Sequence, residues 1–118
     1  MALTVYQYPK CSTCRKALKW LDAHEVRYNA VDIVETPPSK AVLTRSIKQS
    51  GLPLRAFFNT SGESYRSGGF KDKLPSLSQS EAIDALNSDG KLVKRPFAVS
   101  DGQVLVGFDE KAWAEALL

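Results

Sequence analysis

The opening stretch of the chain constrains the fold more than any other. Leu3-Thr4-Val5-Tyr6-Gln7-Tyr8 alternates β-branched and aromatic residues, which predicts a strand, and Pro9 ends it. Cys14, Ala17, Leu18 and Leu21 then recur at the i, i+3, i+4, i+7 spacing of one helix face over Ser12 to Ala23, with Lys16, Lys19 and Asp22 on the wetter side. Tyr28 to Val34 reads as a second strand, apolar apart from Asn29 and Asp32. Two strands joined through a helix pair in parallel with a right-handed crossover. A chain that begins this way is committed to an α/β fold.

The remainder extends that beginning. Pro37-Pro38 stops the second strand, and Ser39 is placed to cap a helix running to about Ser50, closed by Gly51, with Ala41, Leu43 and Ile47 on its apolar face. Pro53 to Pro75 holds Arg55-Ala56-Phe57-Phe58 followed by many Ser, Gly and Thr, and predicts a short helix with irregular connections. Ser78-Gln79-Ser80-Glu81 has the form of a capping box ahead of Ala82, Ile83 and Leu86, in a helix that Gly90 should end. Phe97-Ala98-Val99 and Val104-Leu105-Val106 flank Asp101-Gly102, the signature of a hairpin with a type I′ turn. Asp109 caps a last helix, Glu110 to Leu118, with Phe108 and Trp113 at the two hydrophobic-staple positions. The expected architecture is one domain over residues 1–118. It has a four-stranded mixed sheet with flanking helices and a helical insert at about 39–90, between a βαβ half and a ββα half.

Composition narrows the function. A length of 118 residues suits one core, and the net charge of +3 is scattered rather than gathered into the basic stripe of a nucleic-acid binder. The N-terminal residues show no basic region followed by a long apolar run, and no stretch approaches the ~18 apolar residues of a membrane span. A cytoplasmic monomer, without membrane or direct nucleic-acid contacts, is therefore expected. In that compartment a cysteine pair is more often redox-active or metal-binding than a structural staple.

Cys11 and Cys14 are the only cysteines and His24 the only histidine. A structural zinc normally takes four such ligands, and His24 lies about 15 Å beyond Cys14 along a helix, so no metal site is expected. Inert burial is the remaining bland reading, and it suits Cys14 better than Cys11, which falls in the loop before the helix. A thiol at a helix N-terminus feels the partial positive charge of unpaired amides, which favours the thiolate. Lys10, Arg15 and Lys16 add positive charge nearby. Cys14, one turn on and facing the core, should remain a thiol until it closes onto Cys11. That asymmetry suits two-step thiol exchange, in which one sulfur attacks and the other resolves.

Tyr8-Pro9-Lys10-Cys11-Ser12-Thr13-Cys14-Arg15-Lys16-Ala17, Lys94-Arg95-Pro96 and Val106-Gly107-Phe108-Asp109-Glu110 stand in the order and spacing of the ArsC/Spx family, which the whole chain resembles. The resemblance implies a thioredoxin-like fold and a cis Pro96 facing the cysteine loop. Cys11, Cys14 and Arg95 are thus the expected catalytic residues, with Lys10, Ser12, Thr13, Arg15, Asn59 and Pro96 as expected substrate- or anion-binding positions, the amides of Ser12 to Arg15 offering an anion seat at the helix mouth. Arsenate reductases of the family use one nucleophilic cysteine, glutathione, glutaredoxin and three arginines. Here Arg95 matches one arginine, while Asn59 and Gly107 fall where the others belong, and Arg55 lies about a turn before Asn59. The Cys-x-x-Cys loop is instead similar to that of Spx, a redox-sensing regulator that binds the C-terminal domain of the RNA polymerase α subunit. Gly51 falls near a glycine that matters for that binding, whereas Spx proteins carry a tail beyond the position of Leu118. The stretch Phe57 to Gly62 resembles a third, ArsC-like branch.

These features favour a thiol–disulfide oxidoreductase with no bound cofactor and with glutathione or a protein disulfide as its partner. A glutathione-coupled arsenate reductase, a non-enzymatic Spx-like regulator bound to the polymerase α domain, and a redox-inert binding module are the alternatives.

Overall fold

The structure, a computed structural model, describes residues 3–118. Its elements are β1 (Leu3–Gln7), α1 (Ser12–Ala23), β2 (Tyr28–Asp32), α2 (Lys40–Ser50), α3 (Glu63–Ser67), α4 (Phe70–Lys73), α5 (Gln79–Ser88), β3 (Phe97–Val99), β4 (Val104–Val106) and α6 (Glu110–Leu117), with three short 3-10 turns between them. They form two compact units: the chain up to Asp32 together with Arg95–Leu118, and Ile33–Lys94.

The first unit carries the sheet, in the order β2-β1-β3-β4. β1 runs parallel to β2, as the helical crossover requires, and antiparallel to β3, which pairs antiparallel with β4. This is the mixed, thioredoxin-like arrangement expected from the sequence. Leu3 and Val5 of β1 and Ala98 of β3 pack with Ala17, Trp20 and Leu21 of α1 and with Trp113 of α6. The two tryptophans meet edge to face at 6.3 Å. The staple forms as well: the Phe108 and Trp113 rings lie 5.1 Å apart and nearly perpendicular.

Three local expectations need correction. β2 ends at Asp32 rather than Val34, because Ile33 leaves the sheet and is fully buried in the second unit. On α1, Trp20 is buried while Leu18 is only partly covered, since the larger ring fills the space towards α6. The turn at Asp101-Gly102 is not type I′. Ser100 N–H donates to Gln103 O at 3.0 Å, but neither central residue has the positive φ that type I′ requires. β3 stops at Val99 and β4 starts at Val104, leaving a four-residue connection, whereas type I′ turns belong to two-residue loops.

The second unit is helical. Ser39 Oγ accepts the Val42 N–H at 3.1 Å to start α2, and Gly51 closes it at φ +70°. The capping box at Ser78 and Glu81 starts α5. Asn87 Nδ2 donates to Pro38 O at 2.9 Å, tying α5 to the chain that leads into α2. The stretch 53–75 is more helical than its Ser and Gly content suggests. It holds a 3-10 turn at Leu54–Phe57, then α3, α4 and another 3-10 turn at Leu74–Ser76. Phe58, Tyr65 and Phe70 meet there at 5.6–6.3 Å and supply the burial that local propensity lacks. Gly90 does not end α5, which stops at Ser88. It is needed because a Cβ there would lie 1.8 Å from the Ile33 carbonyl oxygen. Among the described residues no helix is long and apolar enough to cross a membrane.

Candidate functional site

β1 delivers the chain to a tight turn, in which the Cys11 N–H donates to Tyr8 O at 2.9 Å. Cys11 is extended (φ −92°, ψ 115°) and stands as the N-cap of α1. Its Sγ takes the place a Ser or Asp oxygen usually fills, accepting the Cys14 N–H at 3.2 Å. Cys11 is partly exposed and Cys14 fully buried, on the same α1 face as Ala17 and Leu21. Both are free thiols.

Arg95 reaches this loop through the sheet. The β1–β3 pairing ends at Tyr6↔Phe97, and Tyr8 and Arg95 each lie two residues beyond that last pair. The guanidinium carbon stands 5.1 Å from the Tyr8 ring centroid, within cation–π range, and the group hydrogen-bonds to Cys11. The Arg95-Pro96 peptide is cis, as the resemblance implied, and Pro96 is fully buried. Gly107, where the resemblance implies an arginine, is a backbone junction. Its N–H donates to Pro96 O at 2.9 Å, its carbonyl accepts Trp113 Nε1–H at 3.0 Å, and its φ of +73° favours glycine.

The electrostatics separate the two sulfurs. Burial pushes the Cys11 thiol up, but it is outweighed by hydrogen bonds from the Cys14 thiol and amide and by the hydrogen bond and charge of Arg95. The balance holds Cys11 below its ordinary value. Cys14 is pushed up to about 12, first by burial and then by its hydrogen bond to Cys11 and the charge there. A Tyr8 backbone hydrogen bond and Arg95 oppose this only in part. One sulfur is therefore disposed to be a thiolate while its neighbour keeps its proton.

The remaining positions fall into two groups. Lys10, Ser12, Thr13 and Arg15 are exposed around the helix mouth. Arg15 turns its guanidinium to Pro9 O at 2.9 Å. The charge acting on Cys11 is thus that of Arg95, rather than of Lys10 or Arg15, to which the sequence reading assigned it. Asn59 belongs to the second unit and shapes a turn there: its N–H donates to Leu92 O and its carbonyl accepts the Gly62 N–H at 3.0 Å. Tyr8 entered the sequence reading only as part of a motif. Its place beside Arg95 follows from the β1–β3 register, which no local pattern reveals.

The chain is similar to known proteins over most of its length. The Bacillus subtilis protein YusI is 49% identical over 115 residues, 98% of each chain. The crystal structure of an ArsC family related protein from Bacteroides fragilis superposes with a TM-score of 0.93 at 43% identity, covering 98% of this chain and 97% of that one. The arsenate reductase of Rhizobium meliloti is 32% identical over 85% of this chain and 70% of its own. A Spx regulator of Lactococcus lactis is 22% identical over 92% and 81%. The ArsC family profile matches residues 6–116, nearly the whole described chain, and this protein therefore belongs to the ArsC family.

Proposed function

We propose that the protein is a thiol–disulfide oxidoreductase in which Cys11 attacks and Cys14 resolves. The observation that carries this reading is the split between the two sulfurs: one partly exposed and held towards the thiolate, the other fully buried with its proton retained. The Cys11 thiolate attacks one sulfur of a substrate disulfide, forming a mixed disulfide and releasing the other half as a thiolate. Cys14 then gives up its proton and attacks Cys11 Sγ. The Cys11–Cys14 disulfide forms, the second substrate half leaves as a thiol, and two electrons have passed to the substrate. Two equivalents of a thiol such as glutathione, oxidised to its disulfide, return the pair to the reduced state. Arg95 stabilises the attacking thiolate and offers a charge to an anionic group of the partner.

Mass spectrometry of a Cys14→Ser variant isolated from cells tests this, because that variant stops at the mixed disulfide. The expected adduct is glutathione or a protein, on Cys11 alone. No adduct under mild oxidation, in a variant that folds, would remove the assignment of Cys11 as attacking thiol and the exchange reaction with it.

Arsenate reduction is the second reading, since the Rhizobium meliloti relative bears that name. Asn59 and Gly107 remove two of the three guanidinium groups that would hold the oxyanion, so turnover with glutathione and glutaredoxin should be weak or absent. Robust turnover, lost in Arg95→Ala, would reverse that order. Binding of the polymerase α domain, the Spx-like alternative, is not expected in either redox state.

A further inference from the structure

The second unit holds a cavity of about 490 Å³, within the range of small-molecule sites. Leu54, Leu74, Pro75 and Leu77 give it apolar walls. Three polar groups line it as well, and none has another use in the fold. Tyr65 is only 6% exposed as a residue and its hydroxyl has no hydrogen-bond partner among the described residues, but the oxygen itself is open to solvent and so can be reached by a ligand. Its ring is packed against Phe58 at 6.3 Å and Phe70 at 6.0 Å, so the side chain cannot swing away to find one. The hydroxyl is thus free to donate to a ligand that accepts its proton. Arg55 and Lys71 line the same cavity, and neither has an acidic partner among the described residues. Two unpaired cations and one unpaired O–H around an apolar chamber call for an occupant that is anionic at one end, accepts hydrogen bonds there, and is apolar elsewhere.

We propose that this cavity binds a small carboxylate with an apolar body. The carboxylate accepts from Arg55, Lys71 and the Tyr65 hydroxyl, and the hydrocarbon part lies against the leucines and Pro75. A carboxylate has lone pairs for all three donors, and Arg can engage it in a bidentate fashion. The site is separate from the thiol reading and stands or falls without it.

The test uses octanoate and its neutral isostere octanamide, titrated into the full chain and followed by amide NMR and calorimetry. Octanoate should bind saturably, moving the amide signals of Leu54, Tyr65, Lys71 and Leu77, and octanamide should bind at least tenfold more weakly. Arg55→Gln/Lys71→Gln, two exposed positions whose loss leaves the fold intact, should weaken octanoate at least tenfold while leaving octanamide unchanged. Tyr65→Phe, which removes only the hydroxyl, should weaken octanoate several-fold. Equal binding of the two probes, unchanged binding by the double variant, shifts located elsewhere, or no saturable binding in the millimolar range would each overturn the proposal.

Discussion

Removing the Cys14 thiol should change how stability depends on pH, by an amount that follows from its burial. The cleanest pair is Cys11→Ser against Cys11→Ser/Cys14→Ala, both kept reduced. In the unfolded chain Cys14 ionises near its ordinary value of 9.0; in the fold burial, the largest cause, holds it far higher. The folded pKa is raised, so the thiol's contribution is fully present below 9.0 and is lost as pH climbs towards about 12. Between about pH 8 and about pH 10 the unfolded chain gains RT ln of the ratio of its ionisation terms, about 1.4 kcal/mol. That figure barely changes so long as the folded pKa stays above about 11. Lys and Tyr titrations are common to both proteins and cancel in the difference. Urea unfolding followed by Trp20 and Trp113 fluorescence at the two pH values reads it directly. The single variant should lose about 1.4 kcal/mol more than the double variant across that interval. The cavity left by Ala lowers stability equally at both pH values and leaves the difference intact. Matching pH dependences would refute the reasoning, because Cys14 would then ionise within the fold and could not be the thiol held in reserve.

Three further outcomes follow from the geometry. In a Cys14→Ser background, Tyr8→Leu should raise the Cys11 titration, read as thiolate absorbance, whereas Tyr8→Phe should leave it in place because the ring beside Arg95 is retained; identical curves for the two would show that the ring does not position the guanidinium. Gly90→Ala should cost about 3 kcal/mol or more in thermal unfolding, since the new Cβ meets backbone at Ile33. Gly102→Ala, with nothing within 4 Å, should be near neutral, and equal losses at the two sites would contradict this. Trp113→Phe should cost about 1–2 kcal/mol through the stranded Gly107 carbonyl and Trp113→Ala about 3–5 kcal/mol in denaturant unfolding; a Phe variant as stable as the parent would discount the hydrogen bond.

Much of this molecule can be read from local pattern. Ser39, Ser78 and Asp109 cap the helices that their spacing announced, and the Cys14 face of α1 is buried where its period placed it. These features depend on neighbours a turn away, which a sequence displays. What escaped depends on residues brought together by pairing or packing. Arg95 lies beside Tyr8 because two strands far apart in the chain share a register. Gly90 is glycine because of Ile33, and the helices of 53–75 owe their stability to three aromatic rings rather than to their own residues. The cysteine spacing pointed to the loop and the resemblance to Arg95, but only the tertiary structure shows the Tyr8 ring that stands beside that guanidinium.

The sulfur that attacks is also the cap of α1, so the redox state of Cys11 and the integrity of a helix end are one linked equilibrium. A thiolate is a better acceptor for the Cys14 amide than a neutral disulfide sulfur, and a cap is worth about 1 kcal/mol. Each oxidation therefore loosens the first turn of the helix that carries the resolving thiol, and each reduction tightens it. Amide exchange at Cys14 should be slower in the reduced protein, reporting turnover from a backbone proton rather than from sulfur. The same linkage makes Cys11→Ser the sounder control for mechanism, because its oxygen preserves the cap while removing the nucleophile. Cys11→Ala removes both, and loss of activity in it would confuse a frayed helix with a missing thiolate.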